Sequence, residues 1–243
     1  MPALTGRKIY FTIFIAALAV LWVALAIAPV DRSDWLLENV LLVLGVVVLL
    51  VTRKWLPLSG ISYTTILVFL CLHIIGAHYT YAEVPYDAGF RSLTGHSFNE
   101  LVGWKRNNYD RVVHFSYGLL LAYPIRELFL RVANVRGFWG YFLPLDLTMS
   151  TSMIYELVEW LAADRFGGGL GAAFLGSQGD QWDAQKDMAL ASLGALIAMT
   201  VTAIVNSISQ RDFAAEWVES LRVHRPLPLG EVELARRRAA GTP

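Results

Sequence analysis

The sequence predicts an all-α membrane protein: a polytopic helical bundle of about six transmembrane helices, with both termini on the cytoplasmic side. Two observations carry this. Of the 243 residues, 56% are hydrophobic and only 16% charged, against about 25% charged in an ordinary soluble domain. The deficit is concentrated in recurring apolar runs of about 17–25 residues, each long enough as a helix to cross a hydrocarbon core. Backbone polar groups in that core must pair within their own segment, so such runs are helices. The alternating pattern of barrel strands is missing.

The runs fall at about 9–30, 35–51, 61–81, 109–130, 140–161 and 182–208. Arg7 and Lys8 precede the first, and Ala26-Ile27-Ala28 resembles a small-residue cleavage site. The apolar stretch is too long for a signal-peptide core, so it is expected to stay as an uncleaved helix. With the N-terminus inside, thirteen of the twenty Lys and Arg fall on the cytoplasmic side, the bias that sets orientation. Residues 1–210 then form the six-helix transmembrane domain. Residues 211–243 form a cytoplasmic amphipathic and basic tail that either lies on the inner membrane surface or is solvated.

A net charge of zero and the lack of a basic patch with interleaved aromatics give no footprint for nucleic acid. The one cysteine, Cys71, lies in the third run, so no intrachain disulfide forms.

Polar residues inside the runs are costly and therefore informative. Asp110 and His114 open the fourth run, four apart and on one face. Glu156 and Glu159 share a face of the fifth, with Ser152 one turn below. Asp180, Asp183 and Asp187 open the sixth, His73 and His78 close the third, and Glu38 opens the second. In the expected topology all of these lie in the outer half of the membrane. At about 1.5 Å per residue, His78, His114 and Asp187 sit roughly 5–10 Å inside the outer boundary.

Carboxylates bunched in a low dielectric must protonate, pair with cations or bind a metal. Imidazole beside carboxylate suits a divalent metal ion. The candidate ligands are His114, Glu156, Glu159, Asp110, Asp183, Asp187 and His78. Blander roles also fit. Asp110, Asp180 and Asp183 stand where helix N-caps belong. Glu156 and Glu159 suit a satisfied polar network. His73 and His78 are about 140° apart around a helix and do not face one site unless it unwinds at Gly76. Glu127 and Asp146, near Arg126 and Arg131, read as an ion-pair cluster at the inner face.

Two segments flank the outer cluster. Residues 82–108 form a long loop with Tyr86, Phe90, His96, Phe98 and Trp104, read as a lid or an interfacial segment. Residues 166–181 hold Gly167, Gly168, Gly169, Gly171, Gly176 and Gly179, without the spacing or Lys of a phosphate loop.

Taken together, YDRVVHF at 109–115 with Gly118, YELVEW at 155–160 and GDQWDAQKD at 179–187 resemble the bacterial inner-membrane YjdF family of uncharacterised proteins, from the first runs through Ala198. They also loosely resemble the VanZ-like group. In the VanZ-like pattern a Gln follows the acid of the middle helix, whereas here Glu159 stands in that place. The resemblance implies an inner-membrane location and no particular activity.

Three functions fit. The first is an enzyme at the outer membrane boundary that acts on a lipid or lipid-linked substrate, with a divalent metal ion as cofactor and Glu156 or Glu159 as general base. The second is a cation- or proton-binding transporter, although no matching polar path crosses the inner half. The third is a non-catalytic accessory protein, with the polar cluster as structural glue.

Overall fold

The computed structural model describes residues 2–166, 177–224 and 228–241. Of the glycine-rich segment, Gly167, Gly168, Gly169, Gly171 and Gly176 lie outside the described residues.

Six long helices cover the six predicted runs: α1 (Pro2–Leu25), α2 (Arg32–Thr52), α3 (Gly60–His78), α6 (Tyr109–Val132), α7 (Trp139–Phe166) and α8 (Asp183–Ser209). Two short helices, α4 (Tyr86–Thr94) and α5 (Phe98–Val102), fill the long third connection, and α9 (Phe213–Ser220) and α10 (Leu229–Ala239) follow the bundle. There is no strand among the described residues. The chain is a helical membrane bundle. The helices α2, α3 and α8 are apolar and long enough to span a membrane, and α1 carries a shorter apolar stretch at Ile9–Leu25. In contrast, α6 and α7 hold the polar residues of the interior, so apolarity alone does not pick them out.

The bundle is dressed for lipid. Val20, Val40, Leu44, Val47, Val201 and Ile204 are exposed, while Asp34, Glu38, His114, Glu156, Asp183 and Asp187 are buried. A soluble domain does the reverse.

The tightest crossing is between α6 and α8. A Cβ on Gly118 would run into the Ala191 carbonyl and the Ala195 amide, and one on Gly194 would run into the Phe115 carbonyl and Leu119 amide. Small residues that let backbones touch are the usual glue of helices in lipid, where burial of apolar surface drives little. The contact also fixes the site. His114 lies one turn from Gly118 on α6, and Asp187 lies one turn from Ala191 on α8, both toward the same end of the bundle.

At that end the chain leaves α3 through Thr80 and Tyr81, both in the left-handed region at φ 49° and 54°. This is uncommon for residues with a side chain. The Tyr81 amide donates to the Gly76 carbonyl at 2.8 Å, and the ring lies where a side chain at Gly76 would be. The turn thus folds Tyr81 back into the bundle.

At the opposite end, Glu127 accepts from the Ser62 hydroxyl at 2.6 Å and pairs with Arg131 at 2.7 Å. Arg126 instead lies over the Tyr141 ring, 4.5 Å from its centroid. The first helix of the tail is docked there. Trp217 packs edge-on against Phe138 and tilted against Tyr141, Phe213 packs edge-on against Tyr141, and the Phe138 amide and Trp139 indole donate to Ser220.

Candidate functional site

Three helices bring four of the predicted ligands together. On α6, His114 Nε2 lies 3.5 Å from Asp110 Oδ1, and it lies 3.5 Å from Glu156 Oε1 of α7. Asp187 of α8 completes the group: donor atoms of Asp110, His114 and Asp187 all lie within 4.8 Å of one another. Neither Asp110 nor Asp183 caps its helix; the residues at the N-cap positions of α6 and α8 are Asn108 and Trp182, and neither makes a side-chain capping bond.

Two atoms of this group are stranded. Asp187 Oδ1 and Glu156 Oε1 are buried without a hydrogen-bond partner, as is the Ser152 hydroxyl one turn along α7. An unpaired buried polar group costs about 1–3 kcal/mol, so these atoms call for a proton, a water or a bound ion.

The nearest guanidinium groups are already engaged. Arg106 reaches from the long connection to the Ser177 carbonyl and Asp183. Arg111 donates to Asp180 at 2.5 Å and Asp183 at 3.1 Å. Lys186 also binds Asp180 at 2.5 Å, and these hydrogen bonds, that to Lys186 foremost, hold the Asp180 carboxyl below the usual range. The cluster therefore divides into two halves. Asp180 and Asp183 form an ion-paired latch near the mouth, and Asp110, Glu156 and Asp187 have His114 as their nearest basic side chain.

The other predicted ligands go elsewhere. His78 donates through Nδ1 to the Leu25 carbonyl at 2.8 Å and ties α3 to the end of α1. Glu159 is buried on the same face of α7 as Glu156 but is not in the close group. His73 turns to α2, where Nε2 meets the Glu38 carbonyl at 3.1 Å. A carbonyl only accepts, so Nε2 carries the hydrogen and Nδ1 accepts from the Tyr81 hydroxyl at 2.5 Å. The Tyr155 hydroxyl donates to Glu38 at 3.1 Å and links α7 to α2. Sequence reasoning missed Arg106, Tyr81 and Tyr155. The charge excess of the acids was the one signal for a guanidinium. The tyrosines gave none, since aromatics are common at helix ends in membranes.

Beside the cluster lies a cavity of about 370 Å³ between α2, α3, α6 and α7. Its walls include Leu41, Leu42, Phe69, Leu70, Ile154 and Val158, and Asp110, His114, Ser152 and Tyr155 stand at its polar side.

The family model described as predicted membrane protein (DUF2238) matches residues 10–207, which reaches into all six long helices and takes in every residue of the site. The chain belongs to this family. Among its relatives, inner membrane protein YjdF of Escherichia coli (strain K12) is 40% identical over 167 residues, covering 68% of this chain and 76% of YjdF. No solved structure matches. The DUF2238 chain described here is thus a bacterial inner-membrane protein. The resemblance to the YjdF family stands, and the VanZ-like likeness is not shown by these matches.

Proposed function

We propose that this protein binds a divalent cation within the outer half of the inner membrane and uses it to act on the polar part of a lipid or lipid-linked substrate. The observation that carries the reading is the close set of Asp110, His114 and Asp187 with the stranded oxygens of Asp187 and Glu156. The bonds of a cation to oxygen or imidazole are about 2.0–2.2 Å long, which places opposed donors up to roughly 4.4 Å apart. The separation of at most 4.8 Å is close to that. Mixed carboxylate and imidazole donors suit zinc, manganese or iron better than a thiol-seeking ion.

Each residue then has a task. Asp110, His114 and Asp187 hold the cation, whose chemistry would be to polarise a phosphoryl or carbonyl oxygen. Glu156, whose Oε1 lies 3.5 Å from His114 Nε2 without a hydrogen bond, takes the proton from an attacking water or hydroxyl. Glu156 holds that proton while the new oxygen bond forms and returns it to the leaving oxygen as the ester or phosphoester bond of the lipid breaks, so that the departing group leaves as an alcohol. Glu159 and Ser152 flank Glu156 along α7, and the Asp180–Asp183 latch with Arg106 and Arg111 holds the N-terminal end of α8 against α6.

The orientation set by Lys and Arg puts this end at the outer face. The test is turnover of lipid phosphoesters and esters by purified protein in nanodiscs with added manganese or zinc, compared with Glu156→Gln. Metal-dependent hydrolysis lost in the variant supports the reading. Turnover equal in both proteins rules out Glu156 as the base.

A further inference from the structure

The cavity beside the cluster raises a question that the ligand set does not answer: how a substrate reaches a site buried among membrane helices. We propose that one hydrocarbon chain of a bilayer lipid lies in the cleft between α2 and α7, having entered sideways from the membrane, with its polar head at Ser152, His114 and Asp110. The proposal rests on the reading of the cluster as the reactive site and adds the class of substrate and its route.

Three observations support it. First, the rim faces lipid. Leu41 on α2 and Ile154 and Val158 on α7 line the cavity and are also about half exposed, at 49%, 54% and 48%. An apolar opening between lipid-facing helices is in contact with acyl chains, and water gains nothing there because the walls offer it few partners.

Second, the two helices stand apart. Each packs elsewhere, α2 on α3 and α7 on α6 and α8. The Tyr155–Glu38 hydrogen bond joins α2 to α7 beside the cavity. The cleft is therefore a gap in the side of the bundle.

Third, the volume and the polarity match one chain with a head. About 370 Å³ equals roughly a dozen water-sized volumes, enough for part of a single chain and not for two. Burial of the chain hardly distinguishes the cleft from bulk lipid, because both are apolar. The preference comes from the polar end, where the unpartnered Ser152 hydroxyl meets the lipid's ester or phosphate oxygens.

The experiment is photo-crosslinking of the full chain in nanodiscs, with a lysophosphatidylethanolamine that carries a diazirine on its acyl chain. Peptide mapping should find adducts at Leu41, Ile154 and Val158 about tenfold above those at Val201 and Ile204 on the lipid face of α8. Leu41→Trp and Val158→Trp change half-exposed rim positions, and each should lower the cleft adducts alone while the thermal melt stays within a few degrees of wild type. Labelling spread evenly over all lipid-facing helices, or unmoved by either tryptophan, overturns the proposal. Asp187→Asn separates the two readings. Cleft labelling that persists in this variant while metal is lost supports chain docking in its own right. Cleft labelling in a wild-type protein that holds no metal supports the docking and removes the metal reading alone.

Discussion

Substitution of Gly118 by alanine tests whether the α6–α8 crossing sets the site. The added Cβ would lie 2.8 Å from the carbonyl carbon of Ala191 and 2.7 Å from the Ala195 amide nitrogen. The Ala191 carbonyl oxygen is nearer still. Ordinary contact begins near 3.5 Å, so the helices must part by at least about 0.7 Å, and by more to clear that oxygen. All of these obstacles are backbone, and no side chain is there to swing aside. Overpacking of this kind costs about 1–3 kcal/mol. The effect on the site is larger in proportion. Asp110 and His114 ride on α6 and Asp187 on α8, and metal–ligand distances tolerate only about 0.2 Å. Gly118→Ala should therefore lower the affinity for manganese or zinc by about 10- to 100-fold, as a misplacement of this size does to a reacting geometry. The assay is metal titration of the purified protein in detergent beside a thermal melt. Gly45→Ala is the control, since nothing lies within 4 Å of a Cβ there. An affinity unchanged in Gly118→Ala, in a protein that melts lower, would refute the idea that this crossing positions the ligands.

Three further outcomes follow from the same geometry. Replacing both Arg106 and Arg111 by methionine leaves the buried Asp183 carboxylate without its cations. This should destabilise the protein by about 3–5 kcal/mol, with partial recovery when Asp183→Asn is added, read from melting temperatures. Trp217→Ala should undock α9 and cost about 2 kcal/mol for a half-buried ring while metal affinity stays unchanged, because the ring packs at the opposite end of the bundle. Ligation needs ionised carboxylates and a neutral imidazole, so metal affinity should fall as pH is lowered from 8 to about 5. Asp180 takes no part in that fall. Its folded value is depressed, so the stability from its pairing is complete above the ordinary value of 3.8 and is lost only as pH falls below it. Asp180→Asn should leave the slope between pH 8 and 5 unaltered, and a changed slope would assign the titration to the latch.

Most of the fold is legible in the sequence because the bilayer imposes length and apolarity together. The runs at 35–51 and 61–81 match α2 and α3 within a few residues, and Asp110, His114, Glu156 and Asp187 stand out because charge inside a span is rare. What the sequence leaves open is pairing across helices. The spacing of Asp183 and Asp187 is the same whether they bind an arginine or a metal, and only the fold puts Arg106 and Arg111 on Asp183 and leaves Asp187 free. His78 sits at the right depth yet turns to the Leu25 carbonyl, because the face it presents depends on where α3 ends. The long segment at 82–108, read as a lid or an interfacial segment, carries two short helices, α4 and α5, that its composition did not announce. Each closes on a left-handed glycine, Gly95 and Gly103, the usual helix stop. The cavity was not legible at all, since it arises from the gap between α2 and α7, whose sequences carry no sign that they stand apart.

The central claim is that Asp110, His114 and Asp187 together hold a cation, and the most direct measurement is metal content by mass spectrometry on the detergent-purified protein. Wild type, His114→Ala and Asp187→Asn should be compared in samples matched for helix content. A stoichiometric divalent metal is expected in the wild type, and its loss in both variants. A well-folded wild type without metal after incubation with manganese and zinc would contradict it, as would metal retained in both variants.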